Sequence, residues 1–342
     1  MKKIFILLLI VTMGIAHVRA QETDPVNVRL EKIEKITSKL PAVSGLINLR
    51  YRYDDATGNN SMDIRRARLN FAGNISSKVE YRLQLEFAGS PKVLDATVKW
   101  KINPFIQLLV GQFHTPFSLE NQYSPQKAES IEYSLVVSHL SGYSDEVSGI
   151  SASGRDLGIQ LAGGFFQREG YSLIDYAIGL FNGNGINTTD NNKSKDFSGM
   201  LSVHPVQPLT IAVFHYNGAT GSQNSEHQRV RTGAGIRYDN NRYLFRAEYI
   251  QGISTDPAGN DWDSEGFYVL AGYCFAQKVQ PIVKYDYWHK DKTDHNNLKQ
   301  EYLVGISYTP VKHLRLQVNY AFRQNIGMNN SSYMGVQMCG NF

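Results

Sequence analysis

From Val43 onward the chain alternates apolar and polar residues with a period of two, and the pattern persists to its end. Val43, Gly45, Ile47, Leu49, Tyr51 and Tyr53 share one parity, while Ser44, Asn48, Arg50 and Arg52 share the other. Ala67, Leu69 and Phe71 repeat the rhythm, as do Val79 to Phe87, Leu94 to Trp100 and Ile106 to Val110. It returns near 155–166, 172–181, 196–204, 209–216, 229–238, 243–251, 266–275, 279–288, 301–308, 314–323 and 332–342. Period two sends successive side chains to opposite faces of an extended strand, whereas a helix face needs 3.6. Sixteen strands with two chemically different faces are expected.

The connections alternate in length. NISSK, INP, QREG, PVQP, DNN, AQK and TPVKH are short, and between them lie mostly longer polar loops such as DDATGNNSMD and NGNGINTTDNNKS, with GSPK the exception. An even strand count with short turns at one end and long loops at the other is the pattern of a barrel crossing an outer membrane. A soluble sandwich would alternate as well. Against it stand the persistence of the apolar positions and the Arg, Lys, Glu, Asn and Gln on the opposite faces. Aromatics also gather at strand ends: Trp100, Tyr238, Tyr243, Tyr273 and Tyr308 towards one rim, Tyr53, Phe87, Tyr249, Tyr287 and Phe322 towards the other. They predict two interfacial girdles. The chain closes on Met334, Val336, Met338 and Phe342 at one parity, similar to the terminal strand that barrel-assembly machinery recognises, although Gly340 stands where a bulkier residue is usual. The expected fold is all-β, a 16-stranded antiparallel transmembrane β-barrel over 42–342, set in the lipid of a Gram-negative outer membrane.

Residues 1–20 read as a signal peptide: Lys2 and Lys3, an apolar run from Ile4 to Val11, and Val18-Arg19-Ala20 at the cleavage site. Removing Lys2, Lys3 and Arg19 takes the 35 basic residues to 32 against 31 acids, so net charge gives no reason to expect nucleic acid as a partner. Residues 21–41 are expected to be a short periplasmic segment, with Leu30, Ile33, Thr37 and Leu40 at spacings a brief helix would use. Cys274 and Cys339 share the inward parity but lie four strands apart, about 19 Å along the wall, too far for a disulfide.

If the apolar face meets lipid, the other lines a lumen. Inward cations by parity are Arg50, Arg52, Arg66, Arg68, Arg82, Lys99, Lys101, Arg229, Arg231, Arg237, Arg246, Lys284, Arg315 and Arg323. Inward acids are Glu80, Glu86, Asp95, Asp156, Glu248, Asp286 and Glu301, half as many. A basic, water-filled wall concentrates anions. Symmetric closure of the first hairpin would set Arg50 near Arg66, and the next turn would set Arg66 near Glu86 and Arg68 near Gln84. Sixteen strands also leave a channel too wide to fill with side chains. The stretch from His114 to Gly154 carries apolar runs unsuited to a solvated loop, so this third loop is expected to fold inward. Gly111 and Pro116 would end the preceding strand, and Phe113 and Phe117 would anchor the loop's root beside His114.

RRARLNFAGNI at 65–75, YRLQLEFA at 81–88, GQFHTPFSLE at 111–120, GRDLGIQL at 154–161, GLFNGNG at 179–185 and SVHP at 202–205 together resemble the phosphate-selective porin O and P family. The resemblance implies a sixteen-stranded outer-membrane porin, usually a homotrimer, with an inward third loop and a path for small anions such as phosphate or polyphosphate. It maps that path onto Arg65, Arg66 and Arg68, Arg82 and the third-loop root. Two departures bear on selectivity. His114 stands where the family commonly has Lys, and a histidine near its ordinary pKa of about 6.5 is mostly neutral at pH 7. Asp145 and Glu146 precede GRDLG and would oppose anions if they faced the lumen.

Enzymatic barrels need a nucleophile or acid pair at the outer rim. No G-x-S-x-G occurs, and His139, His204, His215 and His289 lie on scattered segments. His289, Asp291, Asp294 and His295 read as a solvated polar loop, their spacing unsuited to fixing a metal. A passive anion-preferring porin without turnover, metal or cofactor is the expectation. A general porin without anion preference and a structural or adhesion barrel are the alternatives.

Overall fold

The structure is a computed structural model describing residues 40–222 and 225–342. The signal peptide and all but the last two residues of the 21–41 segment lie outside the described residues. Sixteen antiparallel strands are found among those described: β1 (Ala42–Asp54), β2 (Asn59–Ser76), β3 (Val79–Glu86), β4 (Lys92–Asn103), β5 (Ile106–His114), β6 (Arg155–Arg168), β7 (Tyr171–Phe181) and β8 (Asp196–Val203). They continue as β9 (Leu209–Ser222), β10 (Ser225–Asp239), β11 (Tyr243–Thr255), β12 (Asp261–Tyr273), β13 (Val279–His289), β14 (Leu298–Val311), β15 (Leu314–Asn325) and β16 (Ser331–Asn341). Each pairs with its sequence neighbours, and β1 pairs with β16 from Leu46↔Asn341 to Asp54↔Tyr333, closing the barrel.

Closure leaves no edge strand, so every backbone group in the ladder has a partner. Val43, Ile47, Leu49, Val98, Val110, Val283, Val304 and Val336 are all exposed on the outer face. Such a continuous apolar band is a liability in water and a match for hydrocarbon. Trp100, Tyr243 and Tyr308 are exposed near the short turns and Tyr53, Phe87 and Phe322 near the long loops, whereas Tyr249 stands mid-strand in β11. No helix among the described residues is long and apolar enough to cross a membrane. Phe342 lies outward against Gly45, with which it exchanges backbone hydrogen bonds of 3.0 and 3.2 Å.

Two register features correct the simple hairpin reading. Asn48 pairs with Arg66 and Leu49 with Ile64, so Arg65 is the extra residue of a bulge. Arg50 therefore faces Asp63 and not Arg66. Across the next turn a further shift at Asn74/Ser76 sets Arg68 opposite Glu86 and Asn70 opposite Gln84. Gly111 is likewise not the exit of β5, which runs three residues further to His114. Its φ of +127° and a carbonyl, that of Ala96, only 2.0 Å from where a Cβ would stand explain the glycine instead.

The interior is not uniformly polar. Phe214 and Tyr216 of β9, Ile250 of β11, Tyr268 and Leu270 of β12, Trp288 of β13 and Tyr333 of β16 join one buried apolar cluster. Four further members, Phe117, Val136, Val137 and Leu140, come from the segment between β5 and β6, which contains the helix α1 (Leu135–Leu140). This third loop occupies the barrel interior against β9–β16, and the apolar wall there is its seat.

Candidate functional site: the lumen beside the third loop

Charged and amide side chains on the wall receive the loop's backbone along its length. Ser198 Oγ donates to Pro116 O (3.2 Å), and the Glu248 carboxylate accepts the N–H groups of Leu119 (2.7 Å) and Glu120 (2.8 Å). Asn319 Oδ1 accepts from Ile131 (2.7 Å) and Asp286 Oδ1 from Leu135 (3.0 Å). Buried ion pairs add to this. Arg246 lies 3.2 Å from both Glu120 and Glu129, and Arg231 meets Asp145. A loop backbone inside a barrel needs such partners, since an unpaired buried N–H costs about 1–3 kcal/mol.

The loop's root is tied at Asn121, which is fully buried. Its Nδ2 donates to the carbonyls of Thr115 (3.2 Å) and Gly154 (3.1 Å), and its Oδ1 accepts from the Tyr143 hydroxyl (2.8 Å). That orientation leaves His114 Nδ1, 3.0 Å from the same oxygen, as a donor. Gly154, at φ +68°, admits no side chain there, since its Cβ would stand 1.9 Å from Asn121 Oδ1.

Beside the loop seated on β9–β16, open space lies along β1–β6. A cavity of about 220 Å³ runs between this wall and Gln122–Gln126 of the loop. Arg68, Arg82, Arg155 and His114 line it among Ser44, Asn70, Gln84 and Gln126, and none of its lining residues is a carboxylate. It adjoins a cavity of about 600 Å³ that shares Arg82, His114 and Gln122 and adds Lys99, Glu80 and Asp95. Asp95 sits behind this surface, bonded to Arg155 Nε (2.7 Å) and facing Arg82 (3.3 Å). Arg82 remains half exposed and also donates to Asn70 Oδ1 (2.7 Å).

The family model described as phosphate-selective porin O and P matches residues 46–211, which carry these arginines and the whole third loop. The match spans 166 of the 342 residues, just under half of the chain, and marks that part as similar to the family. No curated protein matches it. Among solved structures it is similar to the anion-selective porin from Comamonas acidovorans, at 14% identity and TM-score 0.70 over 88% of this chain and 99% of that one. OmpT of Vibrio cholerae in its trimer form is similar at 12% identity and TM-score 0.66, over 88% and 99%. The outer membrane channel DcaP of Acinetobacter baumannii follows at 14% identity and TM-score 0.62, over 88% and 97%. At such identities these likenesses establish the fold, that of an outer-membrane porin, a channel protein, and the family match agrees with it.

In this porin the inward cations divide into two groups. Arg231, Arg246 and Lys284 are buried, the last beside Asp286 (2.8 Å), and serve the loop's seat; Arg229 is buried against Asp196 (2.7 Å). Arg50, Arg52, Arg66, Arg68 and Arg82 follow one another down β1–β3. Arg52 pairs with Asp54 (2.6 Å) and Arg68 with Glu86 (2.7 Å). Arg66 has no carboxylate within ion-pair distance among the described residues. Lys101 pairs with Glu80. Arg315 lines a third cavity with Arg237, Cys274 and Cys339, the cysteines being unbridged. Pro116 is buried at the start of the loop, Phe113 packs edge-on to Phe181 (5.5 Å), and Phe117 meets Phe214 (4.9 Å).

Parity missed Arg155 and Arg65. Left-handed backbone at Ser153 and Gly154 breaks the count before β6, and the bulge breaks it in β2. The GRDLG and RRAR motifs were the available signals. Asp145 is buried on Arg231 and Glu146 reaches Lys299 (3.2 Å), so neither lines the two cavities above. In the His289–Asp294 loop, Asp291 and Asp294 cap their own backbone at Thr293 and Asn296.

Proposed function

We propose that this porin is a passive diffusion channel preferring small anions, and that solute passes between the third loop and the wall of β1–β6. One observation carries the reading: the lining at Gln122–Gln126 offers three arginines and a histidine and no carboxylate. A confined basic lining raises local anion concentration and repels cations. Arg50, Arg52 and Arg66 would lead towards it from one side, and Lys99 and Lys101 away from it on the other. Phosphate or polyphosphate is the candidate solute, because planar guanidinium forks suit oxyanions and the family description names phosphate. The anion-selective porin from Comamonas acidovorans lends support at the level of fold.

A general porin without preference has one observation in its favour, the carboxylates already bonded to Arg52, Arg68 and Lys101. Reversal potential across a planar bilayer in a salt gradient separates the readings. Anion preference is expected; a cation-selective or zero potential overturns it, and absence of conductance would favour a structural or adhesion role. The same reading includes export by a signal peptide at 1–20, a periplasmic segment at 21–41, and recognition of the terminal strand through Phe342 by the assembly machinery. It also includes a homotrimer, as in the trimer form of OmpT. Sequencing of the mature N-terminus and crosslinking in membranes test these parts.

A further inference from the structure

The tip of the third loop brings a carboxylate to the arginines of β1 and β2. Glu132 divides its two oxygens between Arg50 Nη1 (2.5 Å) and Arg65 Nη2 (2.8 Å). Arg65 also donates to the carbonyl of Ile131, and Arg66, the next residue of the bulge, has no carboxylate within ion-pair distance among the described residues. Two guanidinium groups converging on one carboxylate, with a third alongside, is the geometry by which arginines take an oxyanion. We propose that Arg50, Arg65 and Arg66 form an oxyanion-binding site, occupied here by the porin's own Glu132, which lowers the channel's preference for anions and competes with phosphate.

Two further observations support a charge role over a purely structural one. The tip is held independently of this carboxylate: Asn319 accepts the Ile131 N–H, Gln317 Nε2 donates to the carbonyls of Ala128 (3.1 Å) and Glu129 (3.0 Å), and Ser130 Oγ donates to Glu132 O (2.7 Å). Burial pushes the Glu132 carboxyl up, yet Arg65, Arg50, Arg66 and Arg52 outweigh it and hold it at about 2. It is thus an anion at any pH where the porin works. Asp63, 2.5 Å from Arg50, is the other acid here and stays when Glu132 is neutralised.

The inference rests on the anion-path reading, and the experiment keeps the two apart. Glu132→Gln preserves length and removes the charge; Glu132→Asp keeps the charge. In planar bilayers Glu132→Gln is expected to raise the chloride-to-potassium permeability ratio several-fold, with Glu132→Asp close to wild type. Calorimetric titration of inorganic phosphate into the folded, detergent-solubilised porin should show at least tenfold tighter binding for Glu132→Gln, a readout that needs no conduction. Unchanged phosphate affinity and an unchanged ratio overturn the self-occupied site even if the wild type prefers anions. A wild type that prefers cations overturns the path reading, while tighter phosphate binding by Glu132→Gln would still uphold the site.

Discussion

Arg82 tests the path most directly, because its guanidinium is half exposed to both cavities and its removal leaves the wall intact. Arg82→Gln takes away one unit of charge, Asp95 keeps Arg155 at 2.7 Å, and a glutamine still has a donor for Asn70. A unit charge about 5 Å from a passing ion is worth about 0.8 kcal/mol in water. Screening at 0.15 M salt, with a Debye length of about 8 Å, reduces that to about 0.4 kcal/mol. At 1.4 kcal/mol per tenfold, local anion concentration falls about twofold and cation concentration rises about twofold. The chloride-to-potassium permeability ratio should therefore drop about fourfold. Reversal potential in a tenfold potassium chloride gradient reads this, with single-channel conductance as the check that the pore is otherwise unaltered. A larger drop would mean a drier constriction. An unchanged ratio at unchanged conductance would refute the reasoning, since solute would then not pass Arg82.

His114→Lys places a fixed cation beside the same cavities and should raise the permeability ratio at pH 7; no change would put His114 off the path. Arg246→Met leaves Glu120 and Glu129 buried without their shared cation, which costs about 3–5 kcal/mol, and should lower the unfolding midpoint in urea while raising current noise from a loosened loop; a wild-type midpoint would refute the tether. For Asp145, burial raises the carboxyl but Arg231 and the Ser148 hydrogen bonds outweigh it, holding it at about 2 against an ordinary 3.8. A depressed folded-state value means its contribution is complete above about pH 4 and disappears as pH falls through about 2. Thermal unfolding of the wild type should accordingly weaken between pH 4 and 2, and Asp145→Asn should lack that part of the slope; equal slopes would refute it.

The barrel was legible in the chain because lipid outside and water inside impose a two-residue period that each strand carries by itself. Val43 to Tyr53 shows both faces with no knowledge of any partner strand. The girdle aromatics and the alternating connections are equally local, and so is the terminal Phe342. The motifs RRAR, GQFHTPF and GRDLG located the site's elements for the same reason.

What the chain did not reveal is whatever depends on two distant segments meeting. Which inward cations are free and which are tied down is one such matter: Arg246 and Arg82 look alike in sequence, yet one is buried under Glu120 and Glu129 while the other stands in a cavity. The bulge at Arg65 shifts the register by a residue, and only that shift delivers Arg50 to Asp63 and Arg65 to Glu132. Alternation alone determined that there is a cylinder and which way its faces point. The tertiary structure decided where the third loop lies and hence which arc of wall stays open, because a charge acts on solute only where no neighbouring segment has already neutralised or covered it.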